Sequence, residues 1–307
     1  MRQNEMDQIA DTKLGVEGRM VASRRLGTSL RSRDSEVTGR NHIRVISVTS
    51  GKGGVGKTNV VANLALALCN LTKRVLILDA DLGLANLDVV LGLNPRYTIN
   101  HVLKREKTLD EIIVTAPGGF KLLPASSGMQ ELTELDRSQR LFFLSELDML
   151  QDLFDVLLID TGAGISSNVM YFNLAAMERL VVVTNEPTSL TDAYALIKVL
   201  TNKYQQKRFM VLVNSVRNGT EAERIYKQLS VVVDKYLGSP SLDYLGWIPY
   251  DEQVQMAVRQ QQMVLQRYPD TPASRSFVEL AHKLMAVESG RAFEGDIKFF
   301  WRKLLNC

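Results

Sequence analysis

"SGKGGVGKTN", residues 50–59, is the stretch on which the fold turns. Gly51–Thr58 fits the pattern GxxxxGK[ST], and it follows an apolar run, "IRVISVTS" (43–50), and opens a helical one, "KTNVVANLALAL". Strand, glycine-rich turn and helix in that order form a cradle for phosphate. Glycines let backbone N–H groups turn inward, and the helix N-terminus adds positive dipole. Lys57 is placed to reach the β- and γ-phosphates, and the Thr58 hydroxyl to ligate Mg²⁺. Gly51, Gly53, Gly54, Val55, Gly56 and Asn59 complete the nucleotide-binding stretch. A phosphate loop needs one lysine, and this one has a second, Lys52. Spacing alone leaves a solvated lysine open.

Outward from the loop, the same grammar repeats. "RVLILDAD" (74–81), "FDVLLIDT" (154–161), "RLVVVTN" (179–185), "RFMVLVNS" (208–215) and "LDYLGWIP" (242–249) are short, β-branched, nearly continuous apolar runs, and "GFKLLPAS" (119–126) reads as one further strand. Runs of this kind fit strands buried on both faces of a parallel sheet. Helical patterns over 57–72, 138–153, 189–204 and 220–237 separate most of them. The alternation predicts an α/β fold, a doubly wound, mostly parallel sheet with helices on both faces, binding ligands at the carboxyl ends of its strands.

Those strand ends carry the chemistry. "LILDADLGLANLD" delivers Asp79 and Asp81 beside the loop, where one carboxylate can hold Mg²⁺ through water and the other can orient an attacking water. "LLIDTGAG" places Asp160 as a metal-holding aspartate, and Gly162 and Gly164 permit a switch-like loop after it. "VLVNS" ends on Asn214, whose amide can read a base edge or cap the next helix. "GWIPYD" offers a rigid turn at Pro249, with Asp251 as a cap or a base contact.

The 307 residues hold 37 Lys+Arg against 34 Asp+Glu, a net +3 that is too mild to argue for nucleic acid. Cys69 and Cys307 are the two cysteines, which disfavours a disulfide framework, a zinc site or a shared iron–sulfur cluster and suggests a cytoplasmic protein. The apolar runs fall short of the roughly 18 residues that would suggest a membrane span. Residues 1–41 have the composition of a linker, with Met6, Ile9, Ala10 and Leu14 near one helical face, as in a solvated tail or a short docking helix. After a helix expected over 273–289, residues 291–307 form an amphipathic segment: Ile297, Phe300, Trp301, Leu304 and Leu305 share an arc, with Lys298, Arg302 and Lys303 off it. Such a helix either docks on the core or lies on a membrane surface.

From Ile43 to about Leu284 the chain resembles the MinD/ParA-type deviant-Walker ATPases, and within them the FlhG branch of flagellar regulators. The resemblance rests on KGGVGKTN (52–59), LDADLGLANLD (78–88), DTGAG (160–164), EPTSLTDAYALIK (186–198) and GWIPYD (246–251). It implies an ATPase using ATP, ADP and Mg²⁺, with Lys52 crossing a nucleotide-sandwiched homodimer to the partner's phosphates and Lys57 acting as the ordinary loop lysine. It further implies Asp81 as the water-activating residue, Thr58, Asp79 and Asp160 at the metal, and Asn214 as the adenine reader. By the same resemblance, 42–290 is the ATPase domain, 1–41 a partner-docking tail, and 291–307 a helix that targets an anionic membrane surface. The protein would then be cytoplasmic as a monomer and peripheral on the inner membrane face with ATP. The partners implied are the GTPase FlhF, flagellar switch-complex proteins and a flagellar transcription activator, with no sequence-specific nucleic acid. Asp7-Gln8, followed by Ile9-Ala10 and Leu14, is a degenerate form of the branch's FlhF-stimulating motif. A ParA-type positioner of DNA or other cargo and a MinD-type division-site regulator are the alternatives within the family.

Overall fold

A computed structural model describes residues 43–81, 87–124, 153–238 and 240–286, together with positions 138, 142, 145, 146 and 150. The chain runs β1 (Arg44–Ser50), α1 (Lys57–Asn70), β2 (Val75–Ala80), α2 (Leu87–Leu91), α3 (Ile99–Leu103), α4 (Leu109–Ile112), β3 (Val114–Thr115) and β4 (Lys121–Pro124). It continues with β5 (Val156–Ala163), α5 (Ser167–Ala175), β6 (Glu178–Val183), α6 (Pro187–Asn202), β7 (Arg208–Val216) and α7 (Gly219–Leu237). β8 (Ser241–Pro249), α8 (Glu252–Arg259), α9 (Val264–Arg267) and α10 (Pro272–Ala286) complete the described elements.

The strands form one sheet in the order β3-β4-β2-β5-β1-β6-β7-β8. Every neighbouring pair is parallel except β3 with β4. The expected doubly wound α/β sheet is therefore present, and the carboxyl ends of β1, β2, β5, β6, β7 and β8 share one edge.

The apolar runs are continuous because both faces are covered. Ile46 and Val48 join Val60, Leu64 and Leu68 of α1 on one side, while Val45, Leu157 and Ile159 join Phe172 of α5 on the other. Val181, Val183, Val211 and Val213 form a third cluster with α6 and α7. Residues 60–68 of α1 are buried throughout, since the helix lies between the sheet and α10. A helix enclosed on all sides carries apolar residues around its whole circumference.

Local signals set the boundaries. α7 begins at Asn218, whose side chain accepts from Glu221 N at 2.9 Å, and ends at Gly238 with φ 64°. α6 carries Pro187 in its first turn, where a missing N–H costs nothing. The helix expected over 138–153 lies largely outside the described residues, although Ser138, Phe142, Ser145 and Glu146 are helical. The tail 1–41 and the segment 291–307, with Ile297, Phe300, Trp301, Leu304 and Leu305, also lie outside them. Among the described residues, no helix is long and apolar enough to cross a membrane.

Candidate functional site

The loop between β1 and α1 is shaped by two other elements, α6 and β7. Gly51 faces α6 so closely that a Cβ would stand 2.1 Å from the carbonyl carbon of Asp192. Gly56 has φ 90°, and a Cβ there would stand 2.6 Å from Asn214 Nδ2. Glycine is required at both positions, by contact at the first and by contact and backbone together at the second. Gly54 also turns left-handed, with φ 77°.

At the base of the loop, the carboxylates meet through strand register. Asp79 on β2 pairs directly with Asp160 on β5, so their side chains stand side by side. Asp79 Oδ1 accepts the backbone N–H of Asp81 at 3.3 Å, and Asp81 Oδ1 lies over Gly162. The Thr58 hydroxyl stands beside the Asp160 carboxylate, whose Oδ1 is buried without a hydrogen-bond partner. Burial, with the neighbouring carboxylate adding to it, pushes Asp79 up to about 7. Burial pushes Asp160 up to about 7 as well, against the Thr58 hydrogen bond and the Lys57 charge. Burial lowers Lys57, and Asp160 and Asp81 oppose that shift. Two buried carboxylates, a hydroxyl and an orphaned oxygen fit a hard divalent cation that takes its other ligands from phosphate and water. Among the described residues, no group of three or more His, Cys, Asp and Glu could hold a metal by itself.

Beside the loop opens a cavity of about 520 Å³, lined among others by Gly56, Asn59, Asn214, Pro249, Tyr250 and Asp251. Asn214, Pro249 and Asp251, the residues expected from the sequence around the nucleotide's purine, thus share one cavity with the loop. Asn214 is not the cap of the next helix, a role Asn218 takes; its Nδ2 donates to Val55 O at 2.8 Å and braces the loop. Asp251 is a cap: one oxygen accepts Gln253 N at 2.9 Å and the other Ala273 N at 3.3 Å, joining α8 to α10.

Lys52 points away from its own cradle. Its Nζ donates to Glu186 Oε2 and, at 3.0 Å, to Thr188 Oγ1, both at the start of α6. Neither partner was evident as such from the sequence, because they lie 134 and 136 residues along the chain. A signal was present nonetheless, since both fall in the EPTSLTDAYALIK stretch.

A sequence profile described as an AAA domain matches residues 43–211. With this fold and this loop, the chain belongs to the MinD/ParA-like P-loop ATPases. It is 43% identical over 264 residues to the antiactivator FleN of Pseudomonas aeruginosa, covering 86% of this chain and 94% of that protein. It is 34% identical to the flagellum site-determining protein YlxH of Helicobacter pylori, covering 87% and 91%. Among solved structures it is similar to the septum site-determining protein MinD of Pyrococcus horikoshii complexed with Mg-ADP, at TM-score 0.62 and 25% identity, covering 81% and 99%.

Proposed function

We propose that this ATPase is a slow, ATP-driven dimerisation switch that regulates the number and placement of flagella. The regulatory role is carried over from the similarity to FleN and YlxH. The observation that carries the switch is the outward position of Lys52, bonded to Glu186 and Thr188 instead of to its own loop. A lysine so placed is free to reach a second subunit's nucleotide once that exposed pair is exchanged.

The residues divide the work as follows. Gly51–Asn59 wrap the phosphates, Lys57 meets the β- and γ-phosphates, and the base enters the cavity at Asn214, Pro249 and Asp251. Thr58 and Asp160 would hold Mg²⁺, with Asp79 beside them. When bound, Mg²⁺ would supply positive charge against the charge that develops on the phosphates. Asp81, over Gly162, orients the attacking water. A carboxylate with no stronger base beside it suits a timer more than a fast catalyst. Lys52 of each subunit contacts the other's phosphates, so the dimer lasts as long as ATP does.

The chain then comprises a partner-docking tail (1–41), the ATPase domain (42–290) and a membrane-targeting helix (291–307). Dimerisation places two such helices side by side, and paired weak anchors hold where one does not. The protein is then cytosolic as a monomer and peripheral on the inner membrane face as the ATP dimer. FlhF, switch-complex proteins and a transcription activator read one state or the other.

The test is Asp81→Ala with Mg²⁺ and ATP, followed by sedimentation velocity and by co-sedimentation with phosphatidylglycerol vesicles. A long-lived dimer that pellets with vesicles is the expected result. A variant that stays monomeric at saturating ATP refutes the switch, and a dimer that stays in the supernatant refutes the membrane half alone.

A further inference from the structure

β1 alternates its two faces, and one of them is unusual. Ile46 and Val48 face α1, whereas Val45, Ser47 and Thr49 face the side where α5 packs. Ser47 and Thr49 are fully buried there, and so is Asn173 of α5 opposite them. Ser47 Oγ donates to Asn173 Oδ1 at 3.0 Å. Asn173 Nδ2 donates to Thr49 Oγ1 at 3.1 Å and to Val169 O at 2.8 Å. The backbone carbonyl oxygen of Asn173 accepts from Arg179 Nε at 2.9 Å. A leucine would fill this position at no desolvation cost, while a buried amide is tolerated only with its partners in place.

The location gives the amide a further role. The three last residues of β1 lead into the phosphate loop, and β5 with its exit loop leads from Asp160 into α5. The register between the strands slips here, from Val48 opposite Asp160 to Ser50 opposite Ala163. Thr161 Oγ1 donates to Val48 O at 3.1 Å, and Gly164 N donates to Ser50 O at 2.9 Å. Between them, Thr49 has its link through Asn173. Three consecutive residues of the loop's stem are thus tied to three points on the segment that follows Asp160.

We infer that Asn173 is a positioning residue for ATP hydrolysis: acting through Thr49, it fixes the segment after Asp160, with Gly162 beneath Asp81, against the stem of the phosphate loop. It is fully buried and lies outside the lining of the nucleotide cavity. Its effect belongs to the geometry in which Asp81 meets the γ-phosphate, and not to the affinity of the loop for the nucleotide already held. A displacement of about 1 Å at such a distance from the chemistry costs on the order of a hundredfold in rate.

The test compares Asn173→Leu with the parent full-length protein, at a temperature where both are folded, by steady-state hydrolysis and by ADP titration calorimetry. The expected result is kcat lower by about tenfold or more with ADP affinity within about threefold. Thr49→Val removes the same bond from its other end, carries the test if Asn173→Leu does not fold, and is expected to lower kcat alike. The double variant is expected to fall no further than the worse single one. An unchanged kcat in either folded variant overturns the inference, as does a loss of ADP affinity in proportion to kcat, which marks general distortion of the site.

Discussion

Lys52→Ala is the sharpest perturbation the site offers, because its two expected effects differ greatly in size. In the single subunit the Lys52 side chain is one third exposed and that of Glu186 60% exposed. An ion pair so open to water contributes about 0–1 kcal/mol. Its loss, with the 3.0 Å hydrogen bond to Thr188, should lower the melting temperature by no more than about 3 °C. In the proposed dimer each Lys52 meets the other subunit's phosphates, and truncating one partner of a desolvated charge pair costs about 2–5 kcal/mol. Two such pairs per dimer give about 4–10 kcal/mol, or at least about a thousandfold in the dimer dissociation constant. Sedimentation velocity over a concentration series with a non-hydrolysable ATP analogue reads that loss, and calorimetry should find nucleotide affinity within about threefold. Glu186→Gln is the companion: relieving the competing pair in both subunits should tighten the dimer by up to about 2 kcal/mol. If Lys52→Ala dimerises over the same concentration range as the parent, the reading of this lysine is wrong.

Arg44 and Asp155 provide two further predictions. Arg44 is buried, chelates Glu178 through Nε and Nη2, the latter at 2.6 Å, and donates through Nη1 to Leu284 O in the last turn of α10. Arg44→Met leaves Glu178 without its partner and should cost about 3–5 kcal/mol in urea unfolding, with Arg44→Met/Glu178→Leu recovering much of it; equal losses in the single and double variants would contradict this. Hydrogen bonds from the Arg74 guanidinium and backbone hold the Asp155 carboxyl below its ordinary range. A carboxylate lowered on folding stabilises above its unfolded value of 3.8 and loses that contribution as pH falls through the folded value. Because Arg74 is half exposed, Asp155→Asn should cost about 1 kcal/mol or less at pH 7, and the difference should shrink as pH falls below 3.8 through the folded value; a difference that does not shrink in acid would refute the assignment.

The long elements were legible because their residues state their own environment. Strands buried on both faces read as unbroken apolar runs, and the loop announces itself by its glycines and by what flanks it. Short elements were not legible: β3 has two residues and α2, α3 and α4 four or five each, so no period can develop, and their conformation follows from packing. Within the site, each aspartate was found separately, as the last polar residue of a strand run. That Asp79 stands beside Asp160 follows from β2 lying next to β5, a neighbour relation that no local pattern carries. Asn214 could be placed at the cavity, but its bond to Val55 O depends on the path of a loop 159 residues away. Ser47 and Thr49 were the overlooked signal. Two hydroxyls alternating on one face of "RVISVTS" require a polar partner opposite them, and the chain supplies it at Asn173.

The stretch EPTSLTDAYALIK carried much of the family resemblance, and its geometry explains why a helix outside the phosphate loop should do so. Glu186 and Thr188 hold Lys52, the Asp192 backbone leaves room at position 51 for glycine alone, and Ser189 Oγ accepts Thr184 N at 3.0 Å where β6 ends. The far half of the loop rests on different supports, Asn214 of β7 at Val55–Gly56 and Asp160 of β5 at Thr58. The half that carries Lys52 therefore depends on α6, and the half that carries Lys57 and Thr58 on the centre and far side of the sheet. That separation suits the proposed switch: nucleotide binding and partner engagement would use two lysines of one loop whose halves rest on different elements.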